Sequence, residues 1–378
     1  MKLQKSIIAI IAFFTLALSI EAQTNPQIQF RKKFDFNGDN KADIAVMRND
    51  FDTNRKSYQI LNSANPPSYF VIDWGVLNDW TIPGDFDGDG KGDYVSARAE
   101  GVNTSWYISV AGGTSYRRVV FGYPLSADEN PVVADYDGDG KDDIAVARRS
   151  TTAPNTFTYY WLRSSDGQLG GRVVASNPAY TTCRSSVPGD YNGDFKADFV
   201  VRCRASDNQM FFDITDNASN TTQTVRWGIF TAYASNLLNG YNEGDIFAPG
   251  DYDGDRKTDV AVVRFVQTGM SGDLPVGSLY WYIRRTGDGS TYVRVYGGVM
   301  LNGNFGYRVD FPVPADYDGD GITDLAVSYG IGYDAFYFIT ENSTNGAVRY
   351  TRFGANDIES AYNFPIVQMQ TSRFYSLY

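Results

Sequence analysis

Apolar positions in this chain fall into short, dense runs that are separated by stretches rich in Gly, Asp and Asn. No long stretch combines a helix-start signal with the i, i+3, i+4 spacing of an amphipathic helix. Runs such as "DIAVAR" and "DVAVVR" are apolar at nearly every position, as expected for strands in sheets that are covered on both faces. Aromatic residues make up 15% of the chain, which also favours strands. The pattern predicts an all-β protein.

A repeat that occurs six times orders these runs. Each copy contains an acidic loop, and the starts of successive loops are 50, 50, 55, 61 and 65 residues apart. A short apolar segment precedes the loop, a β-rich run follows it, and an aromatic segment and a segment that often ends in aromatic-Gly complete the unit. Turn signals such as Gly112-Gly113 lie between the last two segments and predict hairpins. Each unit therefore predicts four antiparallel strands.

Six four-stranded units of this length predict a six-bladed β-propeller, in which the sheets pack face to face around an axis. The C-terminal segment "YNFPIVQMQ" is similar to the strand before the loops but has no loop after it. It is expected to complete the first blade and close the ring. A seventh blade built from both termini is the alternative. The predicted domains are a signal peptide over residues 1–22 and one propeller over residues 23–378.

The N-terminal segment has the composition of a secretory signal peptide. Lys2 and Lys5 precede an apolar run from Ile7 to Leu18, and small residues lie before two alternative cleavage sites, after Ser19 and after Ala22. The run is shorter than the roughly 20 residues that span a bilayer. The chain is expected to be secreted, extracellular or periplasmic, monomeric, and without a membrane span in its mature form.

The two cysteines flank the fourth acidic loop. If the segments on the two sides of that loop pair as a hairpin, Cys183 and Cys203 lie nearly opposite each other. A disulfide between them suits a secreted protein and would contribute about 3 kcal/mol on a chain-entropy estimate. Two buried thiols are the alternative.

The acidic loops, numbered 1 to 6 in chain order, place oxygen side chains at matched positions. Positions 1, 3, 5 and 9 carry Asp, except that Asn stands at position 3 of loops 1 and 4, and position 4 is always Gly. Position 7 is Lys in five copies and Ile322 in the sixth, as expected if this residue contributes its backbone carbonyl. Alternating oxygen donors favour Ca²⁺ over Mg²⁺, because Ca²⁺ takes six to eight oxygen ligands whereas Mg²⁺ retains several waters.

The predicted metal ligands form one set for each loop. Turn formation alone does not explain 22 carboxylates in matched positions, because like charges this close repel each other. Removal of residues 1–22 leaves 31 basic and 43 acidic residues, a net charge of −12 that six Ca²⁺ ions would balance. The expected cofactor is therefore about six Ca²⁺ ions. The ligand sets are Asp35, Asn37, Asp39 and Asp43; Asp85, Asp87, Asp89 and Asp93; Asp135, Asp137, Asp139 and Asp143; Asp190, Asn192, Asp194 and Asp198; Asp251, Asp253, Asp255 and Asp259; and Asp316, Asp318, Asp320 and Asp324.

These loops resemble the FG-GAP/VCBS repeats of integrin-α-like propellers. The resemblance rests on "DxDGDGxxD" flanked by "VPAD" and "DIAV", and it covers nearly the whole chain after the signal segment. It implies a calcium-stabilised extracellular propeller, often used in adhesion or recognition, with the metal loops on the rim opposite the ligand face. It implies no particular ligand.

Four arginines are candidate ligand-binding residues at the other ends of the strands. Each follows the last Asp of its loop by five residues, so strand direction gathers them toward the opposite rim. They either bind an anionic glycan or carboxylate, or tie blades together by salt bridges and stacking on aromatic rings. These residues are Arg48, Arg98, Arg148 and Arg264.

Three long segments, 229–247, 265–279 and 298–312, are predicted to be connections on the same rim. Long loops on a rigid scaffold are common binding surfaces. Their aromatic residues would stack on sugars or anchor a protein partner, or else pack the loops down. They include Phe230, Tyr233, Tyr241, Phe247, Phe305 and Tyr307.

Two classes of function fit these observations. The favoured one is a secreted recognition or adhesion module for a protein or glycan, and the alternative is a polysaccharide-active lyase or hydrolase that uses carboxylates or Tyr and Arg. The chain contains no His, which removes the Ser-His and Cys-His nucleophile pairs and the commonest zinc ligand. Nucleic acid is not an expected partner, because no basic motif occurs.

Overall fold

The computed structural model describes residues 33–109, 115–126, 128–230, 244–271, 274–301, 307–331, 335–353 and 363–365. These residues form 25 strands in six antiparallel sheets, arranged as the blades of a β-propeller. Among them, no helix has the length and apolar character needed to cross a bilayer. The predicted all-β class and the six blades are confirmed, and the seven-bladed alternative is wrong.

Five sheets contain four strands and one contains five. Blade 1 contains β1 (Ile44–Asp50), β2 (Arg55–Leu61) and β3 (Tyr69–Asp73); blade 2 contains β4 (Trp80–Thr81), β5 (Tyr94–Glu100), β6 (Asn103–Ser109) and β7 (Tyr116–Val120); blade 3 contains β8 (Glu129–Pro131), β9 (Ile144–Arg149), β10 (Thr156–Leu162) and β11 (Leu169–Ala175). Blade 4 contains β12 (Thr182–Ser185), β13 (Phe199–Arg204), β14 (Gln209–Thr215) and β15 (Thr222–Ile229); blade 5 contains β16 (Ile246–Phe247), β17 (Val260–Ser271), β18 (Leu274–Arg284), β19 (Thr291–Leu301) and β20 (Tyr307–Val309); blade 6 contains β21 (Phe311–Pro312), β22 (Leu325–Ile331), β23 (Ala335–Glu341) and β24 (Val348–Phe353); β25 (Asn363–Pro365) follows.

The last strand, β25, belongs to the first blade. It pairs antiparallel with β1, so that Val46 lies opposite Pro365 and Arg48 lies opposite Asn363. The prediction that the C-terminal segment completes blade 1 is therefore confirmed. Residues 1–32 lie outside the described part of the chain, so the signal peptide stays a prediction.

The core lies between neighbouring blades, where aromatic side chains of one sheet meet those of the next. Tyr136 of loop 3 stacks on Phe199 of blade 4 with 5.2 Å between ring centroids. Phe36 of loop 1 stacks on Tyr94 of blade 2 at 5.6 Å. A fully buried Phe such as Phe199 contributes about 2 kcal/mol relative to an exposed one. Packing between blades is thus a main source of stability.

Blade 5 differs from the sequence prediction. Residues 265–271 and 274–279 are not a loose connection, because they lengthen β17 and β18, which pair so that Phe265 lies opposite Leu279. Residues 298–301 likewise lengthen β19, which pairs with β20. The segment "FVQTGMSGDLPVGSL" contains enough β-branched and apolar residues to continue the ladder on both sides of its turn. In the remaining predicted connection, 229–247, residues 231–243 lie outside the described part of the chain.

Candidate metal centres

Loops 2 to 6 each connect the first, short strand of a blade to its second strand, and loop 1 directly precedes β1, whose neighbour in that place is β25. In five blades an isolated backbone bridge closes the base of the loop, as between Ala134 and Asp143 in blade 3. The Gly at position 4 has a φ between +78° and +86° in all six loops. A side chain at this position would strain the backbone, because only Gly adopts positive φ at no cost. The fixed base and the central bend turn alternate side chains toward a common centre.

The Asp at position 1 holds this bend through the backbone of its own loop. The Asp135 carboxylate accepts hydrogen bonds from the N–H groups of Gly138 at 2.5 Å, Asp139 at 3.2 Å and Gly140 at 2.8 Å. Asp35 has the same three donors in loop 1. The first oxygen ligand is therefore fixed by the fold of the loop itself.

Carboxylate oxygens converge in the four loops that carry Asp at position 3. In loops 2 and 3 the acids at positions 1, 3 and 9 each place one oxygen within 4.8 Å of the others, and in loops 5 and 6 the acids at positions 1, 3 and 5 do so. Charges of one sign at this distance repel, and a divalent cation among them relieves the repulsion. The converging sets are Asp85, Asp87 and Asp93; Asp135, Asp137 and Asp143; Asp251, Asp253 and Asp255; and Asp316, Asp318 and Asp320.

The Asp at position 9 is deeply buried. Asp143 accepts hydrogen bonds from the backbone N–H of Tyr136 at 2.9 Å and from that of Ser164 at 2.6 Å. Burial raises the pKa of Asp143 to about 7, and the charge of Asp137 adds to the shift. A cation beside this carboxyl would favour the ionised form that burial disfavours. Burial likewise raises the pKa of the same residue to about 7 in four other loops: Asp43, Asp198, Asp259 and Asp324.

Hydroxyl groups that the sequence analysis does not include also reach the loops. They come from the hairpin between the third and fourth strands, where Ser164 Oγ donates to Asp139 at 2.9 Å. The sequence signal is a Ser or Thr directly after the aromatic strand, as in "LRSS" and "TENST", which by itself indicates only a turn. Equivalent contacts join Ser63 to Asp39, Ser343 to Asp320 and Thr344 to Asp318.

Backbone hydrogen bonds connect the six loops into a closed chain of contacts, which we term the loop ring. The N–H at position 8 of each loop donates to the position-1 carbonyl of the loop before it. The last link joins Ala42 of loop 1 to Asp316 of loop 6 at 2.7 Å. The ring therefore closes between the first and the last repeat. Its six bonds run from Ala42 to Asp316, Gly92 to Asp35, Asp142 to Asp85, Ala197 to Asp135, Thr258 to Asp190 and Thr323 to Asp251.

The side chain at position 7 packs on the Gly of the preceding loop. A Cβ on Gly88 would lie 3.0 Å from Lys141 Cγ, and one on Gly254 would lie 3.2 Å from Ile322 Cγ1. The structure thus adds a packing role to the backbone role that the sequence analysis predicts for this position. Ile322 replaces Lys because the contact needs an aliphatic stem and not a charge.

Three of the four candidate arginines are engaged within their own blades. Each makes two hydrogen bonds to an acid on the neighbouring first strand or directly before it, which is the bidentate geometry that guanidinium groups favour. Each also lies over a Tyr ring, at 5.0 Å for Arg98, 3.9 Å for Arg148 and 4.5 Å for Arg264. Of the two sequence interpretations, this geometry supports the tying of strands and blades. The pairs are Arg98 with Asp79, Arg148 with Glu129 and Arg264 with Asp245.

Blade 4 has a disulfide where these blades have an ion pair. Cys203 follows its loop at the same distance as Arg148 follows loop 3, and it lies opposite Cys183 of β12. The two cysteines are bonded, with their Cα atoms 4.1 Å apart. The covalent bond therefore joins the same two strands that Arg148 and Glu129 join in blade 3.

The candidate aromatic residues are described only in part. Phe247 is fully buried and packs on Phe212 at 4.4 Å, so it belongs to the core. The ring centroid of Phe230 lies 5.4 Å from the guanidinium carbon of Arg204. The backbone of Tyr307 pairs within blade 5. Outside the described residues lie Tyr233, Tyr241 and Phe305.

Comparison with protein families matches the FG-GAP-like repeat twice, at residues 85–146 and 135–201. The chain contains FG-GAP-like repeats on a six-bladed propeller. The matched residues span loops 2, 3 and 4, and the other three loops repeat the same positions. This outcome confirms the FG-GAP resemblance. The comparison with curated proteins gives no significant match.

Several solved structures are similar to this chain at low identity. AofleA from Arthrobotrys oligospora has a TM-score of 0.48 and 6% identity, over 82% of this chain and 81% of its own. A mutant of the Aleuria aurantia lectin in complex with Fucalpha1-6GlcNAc has a TM-score of 0.40 and 10% identity, over 82% and 95%. The WD40 domain of SCAP from fission yeast has a TM-score of 0.32 and 10% identity, over 81% and 75%. At these values no ligand or activity is transferred to this chain.

Proposed function

We propose that this FG-GAP propeller is a secreted recognition or adhesion module for a protein or glycan, held rigid by calcium ions in its six acidic loops. The loop ring carries the proposal. Six oxygen-rich loops lie in one closed set of contacts, where bound cations would fix the ends of every blade. Such a rim stabilises a scaffold, and the remaining surface is available for binding.

The donor set fits Ca²⁺. The ion would be held by the side chains at positions 1, 3, 5 and 9, all of which offer oxygen, the ligand atom that this hard cation prefers. The Asn at position 3 of loop 4 conforms to this rule. Its amide nitrogen donates to Asp216 at 2.7 Å, while its oxygen accepts from the N–H of Asp194 at 2.7 Å and so stays on the loop side.

The polysaccharide-active enzyme is the second candidate, and fewer observations favour it. A general acid needs a carboxyl whose pKa lies near neutrality. The carboxyls described above with a pKa of about 7 lie in the acidic loops. On blade 2, Glu100 accepts hydrogen bonds from Tyr107, Ser105 and Arg118, which lower its pKa to about 2 and keep it ionised. The recognition function is therefore the better-supported proposal.

The test is a glycan array and a pull-down from extracellular material, each performed with the purified mature chain in millimolar calcium and again in EDTA. We expect retention of a ligand in calcium, reduced retention in EDTA, and no product when the retained glycan is incubated with the protein. Release of oligosaccharides would support the enzyme instead. Absence of binding in both assays would contradict the recognition function.

A further inference from the structure

A cavity of about 210 Å³ lies at the contact between blade 6 and blade 1, which we term the closing seam. Thr340 and Arg349 line it from the third and fourth strands of blade 6, and Lys41 lines it from loop 1. Asp318 of loop 6 is also part of the wall. The cavity therefore lies between two neighbouring acidic loops of the loop ring.

The cavity exists because blade 6 carries a small polar residue where the other blades carry a large apolar one. Thr340 lies opposite Ala326 on β22 and is 4% exposed. A Thr at this register position lacks the terminal methyl group of Ile and brings a hydroxyl group to the wall. At the other five seams the same position is filled by Ile60, Ile108, Trp161, Ile214 and Ile283.

The fourth strand of blade 6 adds a cation beside this hydroxyl. Arg349 is the cross-strand partner of Thr340, whereas Phe70 and Tyr292 take this place in blades 1 and 5. An apolar ring at this position closes a seam, while an Arg side chain extends along it and ends in hydrogen-bond donors. Blade 2 also has an Arg at this place, Arg117, but there it lies opposite Ile108, so blade 6 is distinguished by an Arg that lies opposite a Thr.

Two of the three charged side chains that line the cavity are cations. Among the described residues, neither Lys41 nor Arg349 forms an ion pair, and both line the same cavity. Asp318 is a predicted ligand of the loop 6 cation, toward which its carboxylate would be directed. Asn62 and Asn342 add neutral polar side chains to the wall. Two cations beside amides and a hydroxyl suit an oxyanion carried on a hydroxylated molecule.

We propose that the closing seam binds the acidic residue of a saccharide, with its carboxylate or sulfate at Lys41 and Arg349 and its hydroxyl groups at Thr340 and the two amides. The cavity is smaller than the roughly 300 Å³ at which drug-sized pockets begin, so it admits one sugar ring and not a longer segment. This inference rests on the recognition function proposed above. The proposed site lies on the rim that carries the acidic loops, whereas the sequence predicted ligand-binding residues only on the opposite rim.

The test measures binding of four probes by saturation-transfer NMR and titration calorimetry in millimolar calcium: galacturonic acid, galactose 6-sulfate, galactose and sodium sulfate. We expect one of the two acidic sugars to bind at least about tenfold more tightly than galactose, since a charged hydrogen bond is involved. The acidic sugar that binds identifies the oxyanion as carboxylate or sulfate.

Two substitutions place the binding in the closing seam. Thr340→Ile fills the cavity with the residue that four other blades use, so it should abolish binding and leave the melting temperature unchanged or higher. Arg349→Ala should weaken binding about tenfold. Its matched control is Arg117→Ala, because Arg117 lies opposite Ile108 in blade 2 as Arg349 lies opposite Thr340. The control should bind like the unmodified protein.

The outcomes separate this inference from the recognition function. If folded Thr340→Ile protein binds the acidic sugars unchanged, the seam is not their site, and a positive glycan array would still leave the recognition function standing. If sodium sulfate binds as tightly as the acidic sugars, the seam is a site for simple anions and the saccharide assignment is wrong. If the probes, the glycan array and the pull-down all give no binding, the recognition function itself fails.

Discussion

Blades 3 and 4 fasten the same pair of strands by different chemistry. Blade 3 uses the ion pair of Arg148 with Glu129, and blade 4 uses the disulfide of Cys183 with Cys203. Both links lie at the end of the second strand that is far from the acidic loop. The comparison teaches that a short first strand in these two blades is held by a cross-link as well as by its ladder, and that the chemistry of this link varies from blade to blade.

The two links differ in what else they hold. Glu129 also accepts a hydrogen bond from the backbone N–H of Tyr123 at 3.0 Å, and Tyr123 lies in the connection from blade 2. The ion pair therefore ties one blade to the next as well as one strand to another. The disulfide joins only β12 and β13. At the loop end the two blades are alike, since both loops carry the four oxygen side chains of a predicted calcium site.

The largest loss of stability is expected when the acidic loops of all six blades lose their calcium ions together. Chelation of calcium should lower the melting temperature sharply, because an ion at 100 times its Kd contributes about 2.7 kcal/mol per site when it binds only the folded state. Scanning calorimetry in calcium and in EDTA measures the shift, and calcium added back should reverse it. An unchanged melting curve in EDTA would mean that calcium does not stabilise the blades, and that cross-links such as those of blades 3 and 4 hold them without it.

The next largest effect is expected at the far end of blade 4. Cys183→Ser with Cys203→Ser removes a cross-link between residues 20 apart in sequence, which should cost about 3 kcal/mol. Urea unfolding in calcium measures this loss. A variant as stable as the parent would show that the ladder between β12 and β13 needs no cross-link.

Loop 3 allows a contrast between two of its own positions. Asp135→Asn should cost about 2–3 kcal/mol, because its carboxylate accepts three backbone hydrogen bonds and charged hydrogen bonds are of this strength. Asp137→Asn is the matched control, since it creates the residue type that Asn192 already provides in loop 4. Metal analysis should find about one ion fewer per chain in the first variant and none lost in the second. Equal losses in the two variants would contradict this ranking of the ligands.

The smallest effect is expected for the ion pair of blade 3. Arg148→Ala should cost about 1–2 kcal/mol, because Glu129 is buried while Arg148 is 31% exposed and partly screened by solvent. Glu129→Cys with Arg148→Cys sharpens the comparison, since the two positions lie directly opposite each other. A thiol assay should find this second disulfide formed. Two free thiols in the folded variant would show that the two blades are not interchangeable at this place.

The sequence predicts the loops and the blades because their chemistry is local. Nine residues hold the four oxygen side chains and the Gly, so each copy can be recognised without knowledge of its neighbours. The loop ring was not predictable, because each of its bonds joins residues of two different repeats, as Gly92 and Asp35 do. The packing role of the side chain at position 7 was not predictable for the same reason, since it contacts the Gly of the preceding loop and not its own loop.

The arginines show where spacing alone is insufficient. An acid stands six residues before loops 2, 3 and 5, at Asp79, Glu129 and Asp245, and each pairs with the candidate arginine of its blade. Loop 6 also has such an acid, Asp310, but Tyr329 stands at the arginine position of that blade. This signal is visible in the sequence, but it needs the pairing of the first and second strands before it identifies partners. The prediction of long connections in blade 5 was wrong for a different reason. A Gly-rich segment is equally compatible with a loose loop and with the turn of a long hairpin.

The pairing of β25 with β1 means that the first blade is finished by a strand that is synthesised after the other 24 described strands. A chain that stops before Asn363 leaves the backbone groups of β1 without their ladder, and an unprotected strand edge is a template for association with other chains. Products that lack this segment should therefore associate with one another through the open edge of β1 instead of persisting as closed propellers.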